Sequence, residues 1–161
     1  MGVAGVGKST IGKMLSKRLS WEFYDADDYH PKANIEKMRK GVQLTDGDRL
    51  PWLRAIRDLI DECLSENKPS IIACSALKRS YREFLKQDRF NVTFVYLRGD
   101  EKTIWERLSS REGHFAGTDL LESQLETLEE PHGVLEVDIS KKPEEIADFI
   151  MEHLRLSSLE R

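Results

Sequence analysis

The stretch Gly2-Val3-Ala4-Gly5-Val6-Gly7-Lys8-Ser9-Thr10 combines residue types and a spacing that could grip a polyphosphate. It fits the pattern G-x-x-x-x-G-K-[ST], the Walker A loop. Its glycines free the backbone to aim N–H groups at an anion with no Cβ in the way. A helix expected from Lys8 adds the positive end of its dipole at the same spot. Lys8 is expected on the β- and γ-phosphates of ATP, and the Ser9 hydroxyl on Mg²⁺. All of Gly2 to Thr10 are therefore candidate nucleotide contacts.

A second candidate is Asp25-Ala26-Asp27. Alternate residues of an extended chain share a side, so both carboxylates are expected to face the phosphate loop. Asp25 would hold Mg²⁺ through its waters, and Asp27 would orient or deprotonate an attacking hydroxyl. No aspartate follows the apolar run Ser70–Cys74, where a Walker B carboxylate commonly sits, which directs the metal to Asp25. Arg49, Lys78 and Arg82 lie in separate polar segments and could hold a substrate carboxylate or phosphate, arginine bidentately. Arg107 is expected on the nucleotide, Arg111 as the arginine a closing lid brings to the transferring phosphoryl group, and His114 on substrate. His30 follows Asp27 closely enough to touch substrate hydroxyls, with helix capping as the alternative. No further His, Cys or carboxylate set has zinc-ligand spacing, and Ser75 lacks the G-x-S-x-G elbow of a hydrolase.

The elements that must position these residues alternate between strand-like and helical periods. A helix is expected over Lys8–Leu19, a strand over Trp21–Tyr24, and a short helix from Pro31 to Lys40. A polar loop, Thr45–Arg49, then precedes a long helix opened by Pro51. Strands follow at Ser70–Cys74, Val92–Leu97 and Leu135–Ile139. Further helices are expected after Ser75, after Gly99-Asp100, over Asp119–Leu128 and from Pro143, with a mobile loop over Arg107–Gly117. Such alternation means a doubly wound α/β fold with a parallel sheet, whose ligands bind at the carboxyl ends of the strands. A phosphate loop ordinarily follows a buried central strand. Only Met1 precedes Gly2, so the expected sheet lacks its first strand.

Composition sets the outer bounds. With 161 residues, the chain has the length of one domain with helices on both sheet faces. A net charge of −4 offers no global attraction for nucleic acid or an acidic membrane, so an anionic ligand must be held by local basic groups. Cys63 and Cys74 do not make a disulfide framework; buried thiols are expected. No run is apolar and long enough to span a bilayer, and no signal segment precedes the loop, so the cytoplasm is expected.

Several stretches, in order and spacing, resemble the small gluconokinases. They are Gly2–Thr10, Phe23 to Pro31, Leu44 to Arg49 with Pro51-Trp52-Leu53, Ala73 to Lys78 with Tyr81-Arg82, and Arg111 to Phe115. Gln124 to Glu129 looks like that family's segment after the lid. The resemblance implies a P-loop three-layer sandwich of the nucleoside monophosphate and shikimate kinase type. It implies one domain over 1–161, with a substrate-binding helical segment at about 28–66 and a lid at about 109–118. The implied reaction moves the γ-phosphate of ATP, with Mg²⁺, to the 6-hydroxyl of D-gluconate. Lys8 and Ser9 would then bind ATP and Mg²⁺, and Asp27 the reacting hydroxyl. Arg49, Lys78 and Arg82 would take the polyol acid, and Arg111 would belong to the lid. The family also suggests a homodimer, although no exposed apolar stripe demands one. The residues alone reach only an ATP- and Mg²⁺-dependent kinase of a small anionic hydroxyl compound. A shikimate-type or nucleoside monophosphate kinase, or a nucleotide binder without transfer activity, stays open at that level.

Overall fold

Two parallel strand pairs form the spine of the computed structural model, which describes residues 1–109 and 115–156. Strand β1 (Glu22–Asp25) lies beside β2 (Ser70–Ala73), with Glu22 opposite Ser70 and Asp25 opposite Ala73. Strand β3 (Val95–Arg98) lies beside β4 (Leu135–Asp138), with Val95 opposite Leu135 and Arg98 opposite Asp138. Met1 and Gly2 stand between the pairs. The Gly2 N–H donates to the Ser75 carbonyl (3.2 Å), and the Met1 carbonyl accepts from the Leu97 N–H (3.0 Å). The Met1 amino group donates to the Val95 carbonyl. Met1 and Gly2, the latter the first residue of the phosphate loop, thus join the two strand pairs. Along the seam runs a cavity of about 390 Å³, lined by Met1, Ile72, Cys74, Phe94, Val95 and Leu97 among others. Residues 92–94 face this cavity too, and β3 begins only at Val95, three residues later than the apolar run suggests.

Helices cover both faces. Helix α1 (Lys8–Leu19) buries Ile11, Leu15 and Leu19 in one core together with Ile146 and Ile150 of α7 (Pro143–His153). Helix α3 (Asp46–Ser65) buries Trp52, Ile56 and Ile60 in a second core with Tyr81 and Leu85 of α4 (Arg79–Lys86). Each fully buried side chain of this size contributes about 1.5–3 kcal/mol of transfer free energy. The two cores sandwich the strands, which gives the expected three layers. The short α2 (Lys32–Arg39) joins the first strand to α3.

Among the helices, three boundaries depart most from the sequence expectations. Helix α3 starts at Asp46 and not at Pro51, so Arg49 is helical. Thr45 and Asp48 form a reciprocal capping box: the Asp48 N–H donates to Thr45 Oγ1 (3.1 Å) and the Thr45 N–H to Asp48 Oδ2 (3.0 Å). Pro51 then lacks only the single N–H that would have met the Gly47 carbonyl, and a capped first turn tolerates that. Helix α5 (Glu101–Ser109) contains Arg107, which is therefore not in a loop. Helix α6 (Phe115–Thr127) starts four residues earlier than the expected Asp119.

Candidate active site

The phosphate loop is anchored by its own apolar residues. Val3 and Val6 are buried in the core of α1 and α7. Gly7 caps α1 with φ 94°, a left-handed conformation open to glycine at little strain. At Gly2, with φ +142°, a Cβ would sit 2.8 Å from the Leu97 carbonyl oxygen, so the seam admits no side chain there. Lys8 Nζ donates to the Val3 carbonyl (2.8 Å), which curls the lysine back over the loop. The Ala4 N–H donates to Gln124 Oε1 (2.6 Å), so one loop amide already holds an oxygen acceptor supplied from α6. Thr10 is exposed on the first turn of α1.

Strand β1 delivers Asp25 to the same place. Its Oδ2 accepts from Ser9 Oγ (2.6 Å), and its Oδ1 accepts from the Asp27 N–H (3.2 Å). Asp27 is not on an extended chain, as expected from alternation, but in a 3₁₀ turn, Ala26–Tyr29, capped by Asp25. The cap pulls the chain out of extended geometry because it gives the orphan N–H of Asp27 an acceptor. Asp27 itself is exposed on this turn. Desolvation first, then the Asp25 carboxylate, push its carboxyl above the ordinary aspartate range, while Lys8 pulls the other way.

Trp52 fixes this turn from below. Its indole is 2% exposed. Its Nε1–H donates to the Ala26 carbonyl (2.7 Å), and its ring stacks on His30, with centroids 4.7 Å apart at 9°. Burial, then the Arg49 charge, depress the His30 imidazole below its usual value. Asn34, also buried, donates from Nδ2 to the Asp48 carbonyl (2.8 Å) and so ties α2 to the start of α3.

The basic candidates separate. Lys78 Nζ donates to both Asp46 oxygens (2.7 and 2.8 Å). Arg49 Nη1 lies 3.9 Å from Asp46 Oδ1 and donates to Tyr81 Oη (3.4 Å). Arg82, in contrast, is buried and commits its guanidinium to three carbonyls: Ala76 (2.9 Å), Leu77 (2.8 Å) and Glu129 (2.8 Å). It clamps the segment after β2 to the chain after α6 and does not join Arg49 and Lys78, contrary to its expected place on substrate. Its charge suggested a ligand contact, but burial gave it structural carbonyls to satisfy. Arg107 Nη2 donates to the Ile139 carbonyl (2.6 Å), which holds α5 to the end of β4. Arg111 and His114 lie outside the described residues. Trp52, Asp46, Tyr81 and Gln124 were not among the candidates. Trp52 and Gln124 were legible only as members of stretches resembling the family, with no signal for the contacts they make.

The hard oxygen donors of Ser9 and Asp25 suit Mg²⁺, which keeps most of its waters and takes the remainder from phosphate. Among the described residues no three His, Cys, Asp or Glu side chains gather into an all-protein metal cage. A two-oxygen platform beside a phosphate loop fits a metal that arrives with its nucleotide.

A parallel sheet between helical layers, with a phosphate loop, a neighbouring carboxylate and a cationic wall, defines a P-loop kinase of small molecules. The comparisons with known proteins agree. A family model described as Shikimate kinase matches residues 4–155. The thermoresistant gluconokinase of Escherichia coli (strain K12) is 43% identical over 159 residues, which cover 96% of this chain and 91% of that one. A gluconokinase structure from Sinorhizobium meliloti 1021 superposes with a TM-score of 0.82 at 40% identity, covering 96% of this chain and 93% of that one. An unliganded sugar kinase from Janibacter sp. HTCC2649 gives a TM-score of 0.90 at 38% identity, over 99% and 96% of the two chains. The chain belongs to the gluconokinase family, within the shikimate-kinase-like P-loop kinases, and is a phosphotransferase.

Proposed function

We propose that the protein phosphorylates D-gluconate at its 6-hydroxyl, consuming ATP with Mg²⁺ and releasing 6-phospho-D-gluconate and ADP. The observation that carries this is Asp27 within the field of Lys8 of the phosphate loop, on a turn whose His30 feels the charge of Arg49. One end of a sugar acid needs a hydroxyl acceptor and the other a cation. The gluconokinases at about 40% identity supply the substrate.

Asp27 accepts the proton of the attacking hydroxyl as the new O–P bond forms and the bond to the departing ADP oxygen breaks. Desolvation and the Asp25 carboxylate raise its pKa, which makes it a better acceptor for that proton. Lys8 swings from the Val3 carbonyl to the β- and γ-phosphates and offsets charge there, while the loop amides, Ala4 included, exchange their internal acceptors for phosphate oxygens. Ser9 and Asp25 would hold Mg²⁺, whose charge neutralises the polyphosphate. Holding hydroxyl and phosphorus in line can supply about 7–11 kcal/mol of the barrier reduction. By resemblance Arg111 would be the lid arginine on the transferring phosphoryl group, with His114 on substrate and Arg107 on the nucleotide. Among the described residues no helix is long and apolar enough to cross a membrane. We place the enzyme in the cytoplasm, as a homodimer by family resemblance.

ADP release measured with gluconate, shikimate and AMP as acceptors tests the proposal, with ³¹P NMR locating the new phosphoester. Turnover with gluconate and a primary phosphoester at C6 is the expected result. Turnover confined to shikimate or AMP overturns it.

A further inference from the structure

Three groups outside the phosphate loop converge on one carboxylate. Lys78 Nζ chelates both oxygens of Asp46 at 2.7 and 2.8 Å. Tyr81 Oη donates to Oδ1 of the same group. Arg49 Nη1 stands 3.9 Å from that oxygen and 3.4 Å from the tyrosine hydroxyl. The donors are built into the wall: Tyr81 is 6% exposed, and the side chains of Arg49 and Lys78 are 21% and 29% exposed. Asp46 is different, with 62% of its side chain in solvent. The cradle is therefore fixed, and the carboxylate filling it is its most removable part.

We infer that Asp46 is an internal stand-in for the substrate's carboxylate, and that the acid group of the sugar acid displaces it from Arg49, Lys78 and Tyr81 on binding. This rests on the proposed function for the identity of the acid. Two cations face one anion here, so the cradle keeps a net positive charge that a second carboxylate can exploit. Asp46 lies in the first turn of α3, where a displaced carboxylate still finds the positive end of a long helix and open water. The same pattern recurs at the phosphate loop, where Gln124 offers an oxygen to the Ala4 amide. In both places the protein satisfies anion-binding donors with its own acceptors. The arrangement also sets selectivity: an alditol of equal length offers nothing that could replace Asp46.

The test compares wild type with Asp46→Asn by calorimetry and thermal shift, using gluconate, shikimate and sorbitol. Unliganded melting first establishes that the variant is folded. Removing an exposed competing ion pair should tighten binding of the carboxylate ligand about two- to fivefold and leave sorbitol unchanged. Lys78→Met should abolish that gain in the double variant, because the displaced contact is then absent from both backgrounds. Equal or weaker gluconate binding by Asp46→Asn overturns the inference and makes Asp46 a direct ligand of substrate hydroxyls or a purely structural anchor. If gluconate is neither bound nor phosphorylated by wild type, the proposed function fails separately. The inference then stands or falls on shikimate: tighter binding by the variant supports it, and unchanged, weaker or absent binding overturns it.

Discussion

Replacing Trp52 by Phe should damage catalysis more than it damages the fold. The indole is 2% exposed, its Nε1–H makes a 2.7 Å bond to the Ala26 carbonyl, and its ring stacks on His30. Phenylalanine keeps an aromatic face but leaves a buried carbonyl without its donor, a loss of about 1–3 kcal/mol. The smaller ring adds a modest cavity term, so the total is about 2–4 kcal/mol. For a chain of this size, that lowers Tm by about 4–16 °C. The carbonyl belongs to the residue just before Asp27, so the same change releases the turn that aims the carboxylate. A displacement of about 1 Å there costs up to a hundredfold in rate. Steady-state assays well below the melting range should show kcat reduced ten- to a hundredfold, with KM for ATP held within about twofold. Ile56→Val is the control: Ile56 is 1% exposed on the same helix, and its loss costs about 0.5–1.5 kcal/mol without touching the turn. A kcat unchanged in Trp52→Phe, or reduced equally in Ile56→Val, would refute the positioning role.

Two more outcomes follow from the geometry. Arg82→Met strands the carbonyls of Ala76, Leu77 and Glu129, so thermal melting should drop by at least as much as for Trp52→Phe, while KM for gluconate measured below the transition stays within about threefold; a large rise in KM with normal melting would return Arg82 to the substrate site. The acidic limb of kcat/KM should lie above the ordinary aspartate value near 4, because desolvation and Asp25 raise Asp27 and its carboxylate is the active form. Activity is thus full above the raised pKa and lost as pH falls through it, and a limb at or below the ordinary value would contradict that.

Local signals in the sequence placed the glycine-rich loop directly before α1, where the structure has it, because that pattern is contiguous. For Asp25 and Asp27 the sequence offered residue type but not geometry. A capping bond from Asp25 to the next turn overrode the alternation of an extended chain. The start of α3 was hidden in plain view: Thr45 and Asp48 have capping-box spacing, yet Pro51 drew the boundary toward itself. Arg82 shows the limit of reading charge without burial, since the carbonyls it serves come from Ala76, Leu77 and Glu129. Gln124 meets the Ala4 amide across 120 positions of sequence, and Trp52 meets Ala26 across 26, so nothing local announces either contact. No local pattern announced that Met1 and Gly2 would tie the two strand pairs together.

The account turns on Asp27 as the group that receives the substrate's proton next to a nucleotide it does not itself bind. Asp27→Asn keeps the size and shape of the side chain while removing its basicity, so turnover of gluconate and the dissociation constant for ATP, measured on the same preparation, separate the two functions. The expected result is a kcat lower by about two to four powers of ten, with ATP bound as tightly as by the wild type. Near-wild-type turnover, or ATP affinity lost in step with rate, would contradict it.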